Sequence, residues 1–98
     1  GQVIELSPNS PPFAMGRDQA NALVVDSEWV SRIHASIEFK NGHYVIADRS
    51  TNATFVRFGD DEELRIHRDE IPLRKAGAVS LGQSLAVAQV DVLYFQCG

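Results

Sequence analysis

Residues 13–56 read FAMGRDQANALVVDSEWVSRIHASIEFKNGHYVIADRSTNATFV, and this stretch decides the fold. Apolar and polar side chains alternate regularly along residues 34–40, which predicts a β-strand with one buried face. Asn41-Gly42 comes next, and a second strand-like run follows at residues 43–48. Because both turn residues tolerate the positive φ angles of a type I′ turn, the pair predicts a tight hairpin between the two runs.

A period of two continues through most of the chain, and no window has the i, i+3, i+4, i+7 apolar pattern of an amphipathic helix. Short runs separated by turn residues predict an all-β fold, a two-sheet antiparallel β-sandwich of about ten or eleven short strands. We expect residues 64–66 and 71–73 to pair as a second hairpin across residues 67–70. The acidic residues 60–63 should form an exposed tip. The predicted strands lie at residues 4–6, 13–15, 23–25, 34–40, 43–48, 54–58, 64–66, 71–73, 79–81, 85–87 and 92–95.

Length and composition describe one folded domain. A chain of 98 residues has enough apolar surface for one core and too little for a second. With 44% apolar and 22% charged residues, the composition is typical of a globular protein. The chain begins with Gly1 rather than Met, so we interpret Gly1 as a cloning remnant. We expect residues 1–98 to be a single domain excised from a longer multidomain chain.

Composition also limits the chemistry of the chain. Cys97 is the only cysteine, which excludes an internal disulfide and a thiol-rich metal site and is compatible with a reducing cytoplasm. We expect no cofactor and no metal. The longest apolar runs are far shorter than the roughly 20 residues of a membrane-spanning helix, so we expect no membrane insertion.

The charge distribution argues against a nucleic-acid partner. The formal net charge is −4, whereas a nucleic-acid-binding domain usually carries a strongly basic surface. Three arginines nevertheless fall within the fold-deciding stretch, while the acidic side chains concentrate at residues 60–63. Arg17, Arg32 and Arg49 therefore form a candidate basic patch that would attract an anion locally.

Three motifs lie beside predicted turns in the fold-deciding stretch. They are Gly16-Arg17, Ser31-Arg32-Ile33-His34 and Ser50-Thr51-Asn52-Ala53-Thr54-Phe55-Val56. Fourteen positions separate Arg17 from Ser31, and twenty separate Ser31 from Thr51. In order and spacing the motifs resemble those of the forkhead-associated (FHA) domain family. The resemblance implies an FHA-like β-sandwich and a phosphothreonine-dependent peptide recognition module in signalling.

The resemblance also implies a role for each motif residue. Asn52 matches the asparagine that holds the backbone of the bound peptide, and Gly16 and His34 match residues that support the site. A guanidinium can donate two parallel bonds to phosphate, a hydroxyl can donate one, and an amide can donate and accept at once. Four residues match positions that contact the phosphate: Arg17, Ser31, Arg32 and Thr51. The implied partner is a phosphothreonine-containing protein or peptide, either in trans or in the parent chain.

For Gly16 and Trp29 the sequence leaves two interpretations open. Gly16 would permit a close approach or a positive φ angle. Trp29 would line the peptide surface or pack as an anchor. Asp48 and Arg49 are expected to orient the turn that follows them.

Ala53 departs from the family pattern, which has glycine directly after the asparagine. If this turn needs positive φ, alanine costs about 1 kcal/mol or more. Either the turn differs here or it is strained, and both cases affect the position of Asn52. This departure supports an alternative function, a degenerate FHA-like domain that binds an unphosphorylated partner.

Ser31 and His34 also permit a minor alternative, a small hydrolase with His34 as the general base. The two residues are three positions apart, and no third group that would orient the histidine is evident in the sequence. We therefore expect a protein that is not an enzyme.

Overall fold

The computed structural model describes residues 2–88 and 92–97, apart from the side chain of Gln2. Gly1, interpreted above as a cloning remnant, and Gly98, the predicted end of the domain, lie outside the described residues. The described strands are β1 (Gln2–Leu6), β2 (Phe13–Gly16), β3 (Leu23–Val24), β4 (Ala35–Lys40), β5 (His43–Asp48), β6 (Thr54–Phe58), β7 (Leu64–Ile66), β8 (Glu70–Pro72), β9 (Ala76–Leu81) and β10 (Leu93–Cys97).

The strands form two five-stranded sheets, which confirms the predicted all-β sandwich. The first sheet has the order β1-β10-β9-β6-β7, and the second has the order β3-β2-β4-β5-β8. Most pairs are antiparallel, as predicted, but β1 with β10 and β2 with β3 are parallel. The two sheets are therefore mixed rather than purely antiparallel.

The inward-facing side chains of both sheets make one apolar core. In β4 the predicted alternation buries Ala35 and Ile37, each 1% exposed. Removal of such side chains from water is the main stabilising contribution, roughly 1.5–3 kcal/mol for each large apolar side chain. The largest fully buried apolar side chains are Phe95, Met15, Ile37, Ile46, Leu93, Val30, Val56 and Val79.

The hairpin between β4 and β5 forms as the sequence predicts. Asn41 has φ 53° and Gly42 has φ 87°, the left-handed conformation that a type I′ turn requires. Lys40 pairs with His43 directly across the turn. The register of the remaining β4–β5 pairs follows from this short connection.

The second predicted hairpin is wrong. β7 pairs with β6 in the first sheet, whereas β8 pairs with β5 in the second. The connection crosses from one sheet to the other, and Arg68 within it has φ 56°. Asp48 holds this crossing, because its carboxylate accepts a bond from Arg68 N at 2.8 Å and its backbone N donates to Asp69 O at 2.8 Å.

The predicted strand at residues 85–87 is also wrong, because this segment forms a turn. The Ser84 carbonyl accepts bonds from Val87 N and Ala88 N, and Ser84 Oγ accepts one from Ala86 N. Glu63 Oε1 fixes the turn by accepting a bond from Leu85 N at 2.6 Å. Glu63 is consequently half-buried, unlike the rest of the exposed acidic tip.

Within residues 2–88 and 92–97, the structure has no helix of the length and apolarity that a membrane crossing requires.

Candidate functional site

The first two motifs and residues 50–53 of the third lie at one end of the second sheet, and the third motif continues into β6 of the first sheet. β2 ends at Gly16, β4 begins at Ala35 and β5 ends at Asp48. Because β4 is antiparallel to both of its neighbours, these three termini lie at the same end of the sheet. The connections that leave this end are called the site loops below; they are residues 17–22, 25–34 and 49–53.

Ser31 joins the three motifs through hydrogen bonds of its own. Its carbonyl accepts a bond from Arg17 N at 3.0 Å, and its N–H donates to His34 Nδ1 at 3.0 Å. Its Oγ accepts a bond from Thr51 N at 3.1 Å. Since Oγ is an acceptor in this contact, the hydroxyl proton remains able to donate to an anion.

Gly16 is required by a close approach of two backbones. A Cβ atom at this position would lie 2.2 Å from the Arg32 carbonyl oxygen and 2.9 Å from Asn21 Nδ2. Its φ angle is outside the left-handed region, so the positive-φ reading does not apply. Any side chain here would push apart the loops that carry Arg17 and Ser31.

The two motif arginines differ in their contacts. Arg17 is exposed, and its side chain has no hydrogen-bond or ion-pair partner among the described residues. Arg32 is 75% exposed at its side chain, and its Nη2 donates to Asp18 Oδ2 at 2.9 Å. The hydrogen bond from Ala20 N, followed by that from Arg32, holds the pKa of Asp18 below 3.8.

His34 is completely buried beneath the site loops. Its Nδ1 accepts the bond from Ser31 N, so the ring proton lies on Nε2, which donates to the Ala53 carbonyl at 2.7 Å. Burial lowers the pKa of His34 below 6.5, and the opposing effects of the Ala53 bond and the Asp48 charge do not compensate. The histidine is therefore neutral and connects two site loops.

The turn at residues 50–53 keeps the left-handed backbone despite its alanine. Ala53 has φ 72° and is fully buried, so the strained alternative applies. Its carbonyl also accepts a bond from Gly82 N at 3.0 Å. The preceding residues Thr51 and Asn52 are exposed.

Trp29 is exposed and does not belong to the apolar core of the described residues. Its carbonyl accepts a bond from Asn52 Nδ2 at 3.0 Å, which orients the Asn52 amide. Its backbone and ring lie against Gly82, where a Cβ atom would be 2.3 Å from Trp29 O and 2.8 Å from Cδ1. The residue exposes 38% of its surface beside the site.

Asp48 is the centre of a buried polar network whose extent the sequence did not reveal. Oδ1 accepts bonds from Ser50 Oγ at 2.7 Å and Thr54 Oγ1 at 2.6 Å. Oδ2 accepts bonds from Ser50 N and Arg68 N. Burial alone would raise the pKa of Asp48, but these bonds outweigh it and hold the pKa below 3.8. The expected orientation of the following turn therefore comes from an ionised carboxylate.

Asn21 is a site residue that sequence reasoning missed. Its Nδ2 donates to the carbonyls of Asp18 at 2.9 Å and Arg32 at 2.8 Å, which joins two site loops. Its Oδ1 is buried and has no hydrogen-bond partner among the described residues. The bond to Arg32 spans eleven positions, so no local sequence pattern indicates it.

The described residues contain no group of three or more His, Cys, Asp and Glu side chains that could hold a metal ion.

Comparison with solved structures finds similar folds in several organisms. A Mycobacterium tuberculosis structure, EmbR in complex with a low-affinity phosphopeptide, is 28% identical, with a TM-score of 0.61. The alignment covers 89% of this chain but 20% of the EmbR chain, so the present chain spans about a fifth of that relative.

Two more distant structures share the fold. The N-terminal FHA domain of Saccharomyces cerevisiae Rad53, in complex with a phosphothreonine peptide, is 19% identical with a TM-score of 0.62, over 86% of this chain and 64% of that chain. An Arabidopsis thaliana FHA domain is 22% identical with a TM-score of 0.64, over 94% of this chain and 71% of that one.

A search of curated protein sequences finds no match. The sequence pattern of the FHA domain family, however, matches residues 13–82, which include all three motifs. This match covers most of the chain and agrees with the sandwich and its structural neighbours. The chain belongs to the FHA domain family.

Proposed function

We propose that this chain is a phosphothreonine-dependent peptide recognition module in signalling. The observation that carries the proposal is the position of Ser31, which hydrogen-bonds to Arg17, His34 and Thr51. These bonds bring together three of the residues that the family resemblance assigns to phosphate binding: Arg17, Ser31 and Thr51. Because the backbone at these positions is already held by hydrogen bonds, less conformational freedom is lost on binding, which favours affinity.

The proposed phosphate contacts have suitable chemistry. The exposed Arg17 guanidinium has no competing partner among the described residues and can donate two parallel bonds to phosphate oxygens. The Ser31 hydroxyl supplies a further donor because its oxygen already accepts the bond from Thr51 N. Arg32 and the hydroxyl of the exposed Thr51 complete the proposed set.

Asn52 is proposed to hold the backbone of the peptide. One Nδ2 proton is used by the bond to Trp29 O, and that bond fixes the amide plane. The second Nδ2 proton and Oδ1 remain to donate to and accept from an extended peptide strand. Gly16 and His34 are proposed to act indirectly, by keeping the site loops together.

We propose that the site has no catalytic function. A hydrolase that used Ser31 would need His34 to accept the serine proton. Instead, Nδ1 accepts from the Ser31 backbone and Nε2 donates to the Ala53 carbonyl, so neither nitrogen faces the Ser31 hydroxyl as a base.

The degenerate-domain alternative rested on Ala53. Since Ala53 adopts φ 72°, the turn that presents Thr51 and Asn52 keeps the conformation that a glycine would provide. This geometry favours the phosphate-dependent function. The phosphothreonine is proposed to lie in another protein or elsewhere in a longer parent chain, of which residues 1–98 would be one domain.

Fluorescence anisotropy with a degenerate phosphothreonine peptide pool tests the proposal. The phosphoserine and unphosphorylated pools are the ligand controls. Each hydrogen bond to a charged group contributes about 1.5–3 kcal/mol, so Arg17→Ala should weaken binding by roughly tenfold to a hundredfold or more. Arg57→Ala is the matched protein control, because it removes one exposed arginine from β6, outside the site loops.

Selective binding of the phosphothreonine pool that is lost in Arg17→Ala and kept in Arg57→Ala would support the proposed function. Equal affinity for the phosphorylated and plain pools would contradict it and favour the degenerate alternative.

A further inference from the structure

Asp18 places a negative charge inside the site that is proposed to bind an anion. It follows Arg17 in the chain, and its backbone N–H donates to the Arg32 carbonyl at 3.1 Å. Its carboxylate accepts bonds from Ala20 N at 2.8 Å and Arg32 Nη2 at 2.9 Å. These contacts hold the carboxylate against Arg32, one of the four residues proposed to bind the phosphate.

The ion pair uses a nitrogen that phosphate binding also needs. A guanidinium has two planar edges for bidentate binding, and Nη2 belongs to both of them. Nη2 carries one hydrogen on each edge, so a phosphate on the edge that faces Asp18 must displace the carboxylate, and a phosphate on the other edge shares a guanidinium whose charge Asp18 already offsets. Both side chains retain solvent access, 75% for Arg32 and 28% for Asp18, so the pair is weak enough to be displaced.

We propose that Asp18 competes with the ligand phosphate for Arg32 and thereby limits the affinity of the site. The inference rests on the proposed function, because it assumes that Arg32 contacts the phosphate. Two effects act in the same direction. A phosphate on the edge of Arg32 that faces Asp18 must displace the carboxylate, and on either edge the two negative charges repel each other at short distance.

Asp18→Asn is a suitable test because an asparagine oxygen can still accept the bond from Ala20 N and preserve the local turn. We expect this variant to bind the phosphothreonine pool about threefold to tenfold more tightly than the wild type at low salt. In an Arg32→Gln background, the same substitution should give a smaller gain in affinity than in the wild type, since the competition for Arg32 is then absent and only the repulsion between the two negative charges remains.

Asp26→Asn is the matched control. Asp26 is exposed in the site loops, and its side chain has no hydrogen-bond partner among the described residues. The Asp26→Asn substitution removes the same charge without releasing Arg32, so it should change affinity less than about twofold.

The outcomes separate this inference from the proposed function. If the wild type binds selectively but Asp18→Asn binds equally well or more weakly, the inference fails and the proposed function stands. An equal gain in Asp26→Asn, or in the Arg32→Gln background, would also overturn the inference. Selective binding by Asp18→Asn alone would support it, whereas no phosphate-dependent binding by either protein would overturn both proposals.

Discussion

The Asn41-Gly42 hairpin and the turn at residues 50–53 both place a non-glycine residue at positive φ, but for different reasons. In the hairpin, Asn41 has φ 53° and is exposed. Within the described residues, no group outside the two connected strands hydrogen-bonds to this turn. Asparagine adopts this conformation readily because its short polar side chain can bond locally. The hairpin is therefore a product of local sequence.

The site turn is held by distant residues instead. Ala53 has no local reason to adopt φ 72°, a conformation that costs roughly 1–2 kcal/mol for an ordinary L-residue. Bonds from His34 Nε2 and Gly82 N to the Ala53 carbonyl hold it there, and Asp48 holds the start of the turn through Ser50. The conformation of the site turn therefore depends on tertiary contacts, which mutation can remove.

The largest expected effect comes from the removal of His34. His34→Ala removes the partner of Ser31 N and one of the two donors to the Ala53 carbonyl, and it creates a cavity. The free energy of unfolding should fall by about 3 kcal/mol or more, measured by chemical denaturation. His43→Ala, at an exposed position beside the hairpin, should change it by less than about 0.5 kcal/mol. If both variants lost the same free energy of unfolding, the view that distant residues hold the site turn but not the hairpin would be wrong.

A smaller loss is expected for Asp48→Asn. The amide group would present donors where Ser50, Thr54 and Arg68 also donate, so at least one carboxylate oxygen loses its bonds. We expect a loss of about 2–3 kcal/mol in thermal or chemical unfolding. Asp60→Asn removes an exposed carboxylate at the acidic tip and is the control, with little expected change. A stability within about 0.5 kcal/mol of the wild type would show that the network contributes little.

Acidification should weaken the site turn in two stages. The pKa of His34 is lowered from 6.5 in the folded protein, so the unfolded chain takes up this proton first and stability falls as the pH drops below about 6.5. The pKa of Asp48 is lowered from 3.8, so its contribution is present above that pH and is lost as the pH falls below it. Denaturation between pH 7.5 and 3 measures both stages.

His34→Gln is the control for the first stage, because it removes the titrating ring. We expect a smaller decrease in stability between pH 7 and pH 5 for this variant than for the wild type. An identical decrease would assign the pH dependence to other groups.

The smallest expected effect is that of Ala53→Gly. Glycine relieves roughly 1–2 kcal/mol of backbone strain. It also removes a buried methyl group, which is worth about 0.8 kcal/mol, and gives the unfolded chain more freedom, worth about 0.4–1 kcal/mol. These terms nearly cancel, so unfolding stability should change by less than about 1 kcal/mol. A gain well above that value would show that strain dominates, and a comparable loss would show that methyl packing dominates.

Much of the sandwich could be predicted because strand formation and tight turns follow local rules. The alternation in β4 and the Asn41-Gly42 pair correctly predicted a hairpin. The segments 64–66 and 71–73 have equally strand-like patterns, yet they belong to different sheets. Periodicity indicates that a strand has a buried face, but it does not indicate which partner covers that face.

The candidate site also has features that the sequence predicts and features that it does not. The motifs carrying Arg17, Ser31 and Thr51 could be recognised in the sequence because their order and spacing resemble a family pattern. The bonds from Asn21 to Arg32, and from Arg68 to Asp48, could not be predicted. The two bonds join positions eleven and twenty residues apart, and the local sequence around each residue does not indicate its partner.

The sequence by itself therefore determined the all-β class, the Asn41-Gly42 hairpin and the identity of the motifs, because these depend on short-range periodicity and turn chemistry. Only the tertiary structure decided that β7 and β8 separate into two sheets, that Ala53 is held in a left-handed turn, and that Asp18 engages Arg32. These features arise from hydrogen bonds and charges between residues that meet only after the chain folds.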